Sequence, residues 1–161
     1  MAGNTSSTLT VERISDLQVR MTRTFDAPRH LVWEAFTKPE HVSRWWGPRY
    51  LTTVVEALDV RPGGSWRFIQ REPDGTQYAF YGVFREVVPP TRLVQTFEFE
   101  GAPGQVMVDD MTLEEHDGKT TITIISTASS VEGLEGMIAS GMEAGAAESY
   151  DRLAELLATM V

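Results

Sequence analysis

The chain has 161 residues, 42% of them apolar and 23% charged, which is the balance of a globular protein able to bury a core. It has no cysteine, so disulfides, thiolate nucleophiles and cysteine-ligated zinc are excluded. A net charge of −9, with 14 basic residues scattered among 23 acidic ones, speaks against nucleic acid and anionic membrane as partners, since both need clustered Lys and Arg.

The opening MAGNTSSTLTVER lacks the basic and apolar regions of a signal peptide, and no apolar run reaches the length of a membrane span. Residues 1–15 read as a polar flexible tail, residues 16–161 as one domain, and the cytoplasm as the expected location. Gln18–Phe25 alternates as a first strand. Asp26 then offers an N-cap, with Pro28 in the first turn of a short helix that carries Leu31, Val32, Ala35 and Phe36 at helical spacing. Lys38-Pro39 ends it and begins a second short helix, which stops at Gly47-Pro48.

From Leu51 the period changes to alternation, and turn signals cut the chain into six strands. These are residues 51–60, 65–71, 76–88, 92–100, 105–115 and 119–127, and their short links predict an antiparallel meander. Ser129 and Glu132 suggest a capping box for one long helix over about 131–160. The order is α+β: a curved antiparallel sheet of about seven strands around a long C-terminal helix, with two short helices between the first two strands.

Four segments carry a resemblance: TRTFDAPRHLVWEAFTKPEHVSRWWGP (Thr22–Pro48), LDVRPGGSWRF (Leu58–Phe68), YGVFREVVPPTRLVQTF (Tyr81–Phe97) and ESYDRLAELL (Glu148–Leu157). In this order they resemble the activator-of-heat-shock-ATPase homologue branch of the START-like, birch-pollen-allergen-like (SRPBCC) superfamily, over about 140 of the 161 residues. The resemblance implies a helix-grip fold with a cavity between sheet and final helix. It implies no particular ligand, because such folds host carriers, receptors, cyclases and chaperone regulators.

The final helix points to a cavity by its own pattern. At 100° per residue, Leu134, Ile138, Gly141, Met142, Gly145, Ser149, Leu153 and Leu156 share one face, with small residues at its middle. A helical Gly costs about 1 kcal/mol relative to Ala, so glycines in a buried stripe suggest that space or close approach is wanted there. Alternatively, aromatic side chains from the sheet fill the gap. Strand parity turns Trp66, Phe68 and Gln70 inward, with Gln95, Phe97 and Phe99, with Met107, Asp109 and Met111, and with Ile122, Ile124 and Ser126. Tyr78 and Phe80, or else Tyr81, complete the wall. Methionines and aromatics form an adaptable surface for apolar ligands, although the same stripe serves equally as plain core.

Asp109 is the informative residue. A buried carboxylate needs a partner, a proton or water. It is a ligand anchor or proton-transfer group, or a bulge turns it outward, or it pairs with Arg71 or Arg23. His30, His41 and His116 lack metal-ligand spacing, and no cofactor or metal is expected. Trp45 and Trp46 pack the short helices on the sheet, or stand at a cavity mouth or dimer contact. The reading that follows is a binding protein for a small hydrophobic or aromatic molecule. The candidate ligand contacts are Trp66, Phe68, Gln70, Tyr78, Phe80, Gln95, Phe97, Phe99, Met107, Asp109, Met111, Ile138, Gly141, Met142 and Gly145. The alternatives are a cyclase, dehydratase or hydrolase using Asp109 as acid or base, and a regulator of a chaperone ATPase.

Overall fold

Strand β2 (Gln18–Phe25) alternates half-buried and buried positions along its length, and this alternation sets the plan of the fold: one sheet with one face covered. The computed structural model describes residues 8–161. After β2 come α1 (Arg29–Thr37) and α2 (Pro39–Trp45), then β3 (Thr52–Leu58), β4 (Ser65–Arg71), β5 (Gln77–Val88), β6 (Arg92–Phe99), β7 (Met107–His116) and β8 (Lys119–Ala128). Helices α3 (Val131–Ala139) and α4 (Met142–Met160) close the chain. A short strand β1 (Thr10–Arg13) precedes them all.

The strands order as β1-β2-β8-β7-β6-β5-β4-β3, antiparallel throughout, so α1 and α2 carry the chain from one side of the sheet to the other. Bulges at Val55–Ala57 in β3 and Phe84–Glu86 in β5 add twist and curl the sheet into an open half-barrel. The final helix lies across its concave face: Leu153 and Leu157 are fully buried, with Tyr150 and Leu156 beside them, against Val19, Phe25 and Ile122 of the sheet. This is the helix-grip arrangement.

Four expectations need correction. The tail expected over residues 1–15 is in part a strand: β1 pairs with β2 from Thr10 opposite Thr22 to Arg13 opposite Val19, which makes eight strands rather than seven. Four residues of alternation are too few to announce a strand without their partner. Residues 1–7 of that expected tail lie outside the described residues. Asp26 does not cap α1. Pro28 holds the N-cap position, and the Glu115 carboxylate of β7 accepts from the Arg29 N–H at 2.7 Å, placing negative charge at the helix start from across the sheet. Ser130, not Ser129, caps α3, accepting from Gly133 N at 2.9 Å. The expected single long helix is two, because Gly141 adopts φ +89° and ends one segment before the next begins.

On the concave face, Trp66 of β4 lies opposite Gly82 of β5, and its indole Nε1–H reaches over that strand to donate to the Thr96 carbonyl of β6 at 3.1 Å. Only glycine permits this: a Cβ at position 82 would lie 2.0 Å from the Thr96 oxygen and 2.7 Å from the indole nitrogen. Gly82→Ala is therefore expected to break the tether and lower stability by about 2–4 kcal/mol. Urea unfolding measures the loss, and the Trp66 indole proton should move in the NMR spectrum.

Candidate functional site

Between the concave face and the helices lies a pocket of about 760 Å³. Its floor is aromatic because β4, β5 and β6 alternate. Trp66, Phe68, Phe80, Phe97 and Phe99 point to the same side and touch in sequence, with ring centroids 4.8 Å apart for Trp66–Phe68 and 5.0 Å for Phe80–Phe99. Methionines 107 and 111 continue the floor on β7. Trp46, from the loop after α2, lays its ring against Phe68 at 5.1 Å and Phe80 at 5.2 Å.

The loop of Trp46 is held by α4. Gly47 N–H donates to the Ser149 hydroxyl at 2.8 Å, and the Arg152 guanidinium donates to the carbonyls of Gly47 at 2.8 Å, Pro48 at 3.2 Å and Arg44 at 2.8 Å. Gly47 has φ +93°, and a Cβ there would fall 1.6 Å from Gln70 Nε2, so the loop rests directly on the sheet. Gln70 is 4% exposed and its Nε2 finds no hydrogen-bond partner among the described residues.

Asp109 faces the pocket. Its strand neighbours are Gln95 on β6 and Ser126 on β8, and the Ser126 hydroxyl donates to its Oδ1 at 2.7 Å. No bulge turns it outward. Arg23 is not its partner either: that guanidinium bonds Asp151 at 2.8 Å and lies over Phe25. Loss of hydration pushes the Asp109 carboxyl up to about 6, against the lowering influence of the Ser126 bond. Tyr150 of α4 also lines the pocket, and burial, followed by the Asp109 charge, raises its phenol above the ordinary value. Among the described residues no Lys, Arg or His lines the pocket. Its acidic members are Asp109 and Glu132.

Of the residues singled out in the sequence, Trp66, Phe68, Gln70, Phe80, Gln95, Phe97, Phe99, Met107, Asp109, Met111, Met142 and Gly145 come together here. Tyr78, Ile138 and Gly141 do not. The Tyr78 hydroxyl is drawn to Glu72 of the adjoining turn. Ile138 is 41% exposed because the break at Gly141 resets the helical phase, and Gly141 is itself the break. The wall on that side is instead Gly133, Gly136 and Met137, which share a face of α3, with Ala102 and Gln105 from the β6–β7 loop. The i, i+3, i+4 spacing of the three α3 residues is visible in the sequence once the helix is read in two pieces. No cluster of His, Asp or Glu among the described residues could hold a metal ion, and no helix among them is long and apolar enough to cross a membrane.

A helix laid in a curled antiparallel sheet over a pocket defines a START-like protein of the α+β class. Residues 26–158 match the family described as "Activator of Hsp90 ATPase homolog 1-like protein", and the chain belongs to that family. Among solved structures, a protein from Rhodobacter sphaeroides shares the fold at a TM-score of 0.90, with 22% identity over 95% of this chain and 99% of that one. Protein Ms6760 from Mycobacterium smegmatis is 29% identical over 92% of this chain and 96% of its own, with a TM-score of 0.83. DynU16, a protein of the dynemicin biosynthetic locus, is 28% identical with a TM-score of 0.70, covering 90% of this chain but 48% of DynU16. No curated protein matches the chain.

The raised carboxyl has a measurable consequence. Because the folded protein holds the Asp109 proton more tightly than an ordinary carboxyl of pKa 3.8 does, its contribution to stability is full below about pH 4 and is lost as pH rises through about 6. The gap between 3.8 and about 6 corresponds to about 3 kcal/mol. Asp109→Asn keeps an acceptor for Ser126 and removes the titration. Urea unfolding should show the variant close to wild type at about pH 4 and more stable by about 2–3 kcal/mol at about pH 7.

Proposed function

We propose that the protein binds a small hydrophobic or aromatic molecule in the pocket between the sheet and the C-terminal helices, as a carrier, sensor or sequestering protein. The observation that supports this most directly is the space left around Gly145. An added Cβ there would meet nothing within 4 Å, although the residue stands on the sheet-facing side of α4. A glycine kept for close packing has a neighbour against it, as Gly47 and Gly82 do. A volume of about 760 Å³ is in the range of sites for drug-sized ligands, and an aromatic floor with few polar groups suits an apolar body. The family and its fold are compatible with ligand binding, and DynU16, with the same fold, belongs to a biosynthetic locus.

Catalysis is the second reading, favoured by one observation. A carboxyl of pKa about 6 beside a hydroxyl is poised to give or take a proton near neutrality. Turnover lost in Asp109→Asn with binding retained would establish it.

The binding reading is tested at Gly145. In Gly145→Leu the new side chain enters open volume and replaces a helical glycine, so stability should hold or rise by about 1 kcal/mol. Binding of the neutral fluorophore N-phenylnaphthylamine, and any small molecule carried through purification and seen by native mass spectrometry, should be lost. Unchanged binding, or a loss of more than about 2 kcal/mol in thermal unfolding as for an overpacked core, would overturn the assignment.

A further inference from the structure

The pocket lacks a positive charge where its chemistry calls for one. Asp109 stands among apolar and aromatic side chains, and the groups facing it are Ser126 of β8, Gln95 of β6 and Tyr150 of α4, none of them cationic. Arg23, which parity turns to the same face, bonds Asp151 instead. A carboxylate in such surroundings is stabilised chiefly by a counter-charge, and a neutral hydrogen-bond donor leaves that charge uncompensated.

An anionic ligand fits badly. The carboxylate of a fatty acid would meet Asp109 and Glu132 and no cation among the described lining residues, so it would be both repelled and unpaired. The aromatic floor adds to the preference. The faces of Trp46, Trp66, Phe68, Phe80 and Phe97 carry negative potential that attracts ammonium groups, most strongly where water is excluded. The chain's net charge of −9 works in the same direction at long range.

We propose that the pocket takes an amphipathic organic cation, an amine protonated at neutral pH on an aromatic or aliphatic body, with its ammonium set against Asp109. This rests on the reading of the pocket as a ligand site and names the ligand's charge. Glu132, on the first turn of α3, also lines the pocket and adds negative charge of the same sign.

The test uses three naphthalene probes that differ only in the group on the ring: naphthylmethylamine, naphthylmethanol and naphthoate. Calorimetric titration of the full chain at about pH 7.5 should give the amine an affinity at least about tenfold above the alcohol, since close charge pairs are worth that or more, and no saturable naphthoate binding. In Asp109→Asn the amine and alcohol should bind within about twofold of each other. Wild type offers a check that needs no variant. With the Asp109 carboxyl at about 6, its ionised fraction falls about tenfold between pH 7 and pH 5, and the amine preference should fall with it while alcohol binding holds. Tyr150, raised above its ordinary value, keeps its proton across that range. An alcohol or naphthoate that binds as well as the amine would overturn the proposal and leave the ligand site standing. A preference that survives Asp109→Asn would also overturn it. If none of the three binds saturably, the ligand-site reading falls, and the proposal with it.

Discussion

The architecture hangs on Arg152. Its guanidinium reaches from the middle of α4 to three carbonyl groups, of Arg44, Gly47 and Pro48, at 2.8 to 3.2 Å, and so meets the C-terminal end of α2 and the loop that follows it. Cationic donors are most effective at a helix C-terminus, where carbonyls are otherwise unpaired. Ser149 adds a bond to Gly47 N, Glu148 accepts from Arg49 N at 3.0 Å, and Thr53 of β3 donates to the Trp46 carbonyl at 2.6 Å. One irregular loop is thereby bonded to the final helix on one side and to the sheet on the other. The position of α4 across the concave face, the seat of Trp46 on Phe68 and Phe80, and the height of the pocket all follow from that junction.

The walls are unequal in what they contribute. The β-strands supply a rigid floor, because its aromatic residues are fixed twice, by ladder hydrogen bonds and by ring contacts with other aromatic side chains. The Trp66 tether across Gly82 ties three strands together through a side chain. The roof over α3 is held far more lightly, with Leu134 its one buried residue. Stability differs across a structure in proportion to such burial, so the molecule joins a firm template to a looser cover. The polar groups of the pocket, Asp109, Gln95 and Ser126, sit on the firm side, where a strand register holds them in line.

Much of this was readable in the sequence, for a physical reason: strands β4, β6, β7 and β8 each have one apolar parity, and a period of two leaves no choice about which side is buried. Asp109 could be placed inward by that argument alone. In β5 both parities are apolar, so the choice between Phe80 and Tyr81 had to come from pairing, which sets Phe80 opposite Phe68 and Phe99. The break at Gly141 was not readable, because Gly is tolerated inside helices and the apolar period runs through it without a visible fault. That one unseen residue accounts for the misplacement of Ile138. The Glu115 contact to α1 joins residues far apart in the chain, which no local pattern reports, and β1 is too short to show a period before its hairpin with β2 is known.

The left-handed residue between α3 and α4 also has a mechanical meaning. A continuous rod of thirty residues would carry any displacement at one end to the other, and opening the roof would pry at the Arg152 junction. Two segments that meet at Gly141 are uncoupled in bending: α3 can tilt about that point while α4 keeps its bonds to the loop. What resists such a tilt is Leu134, which is fully buried in the core, and the ion pair from Arg13 to Glu135, so the cover is anchored at few points while the Arg152 junction holds the other segment.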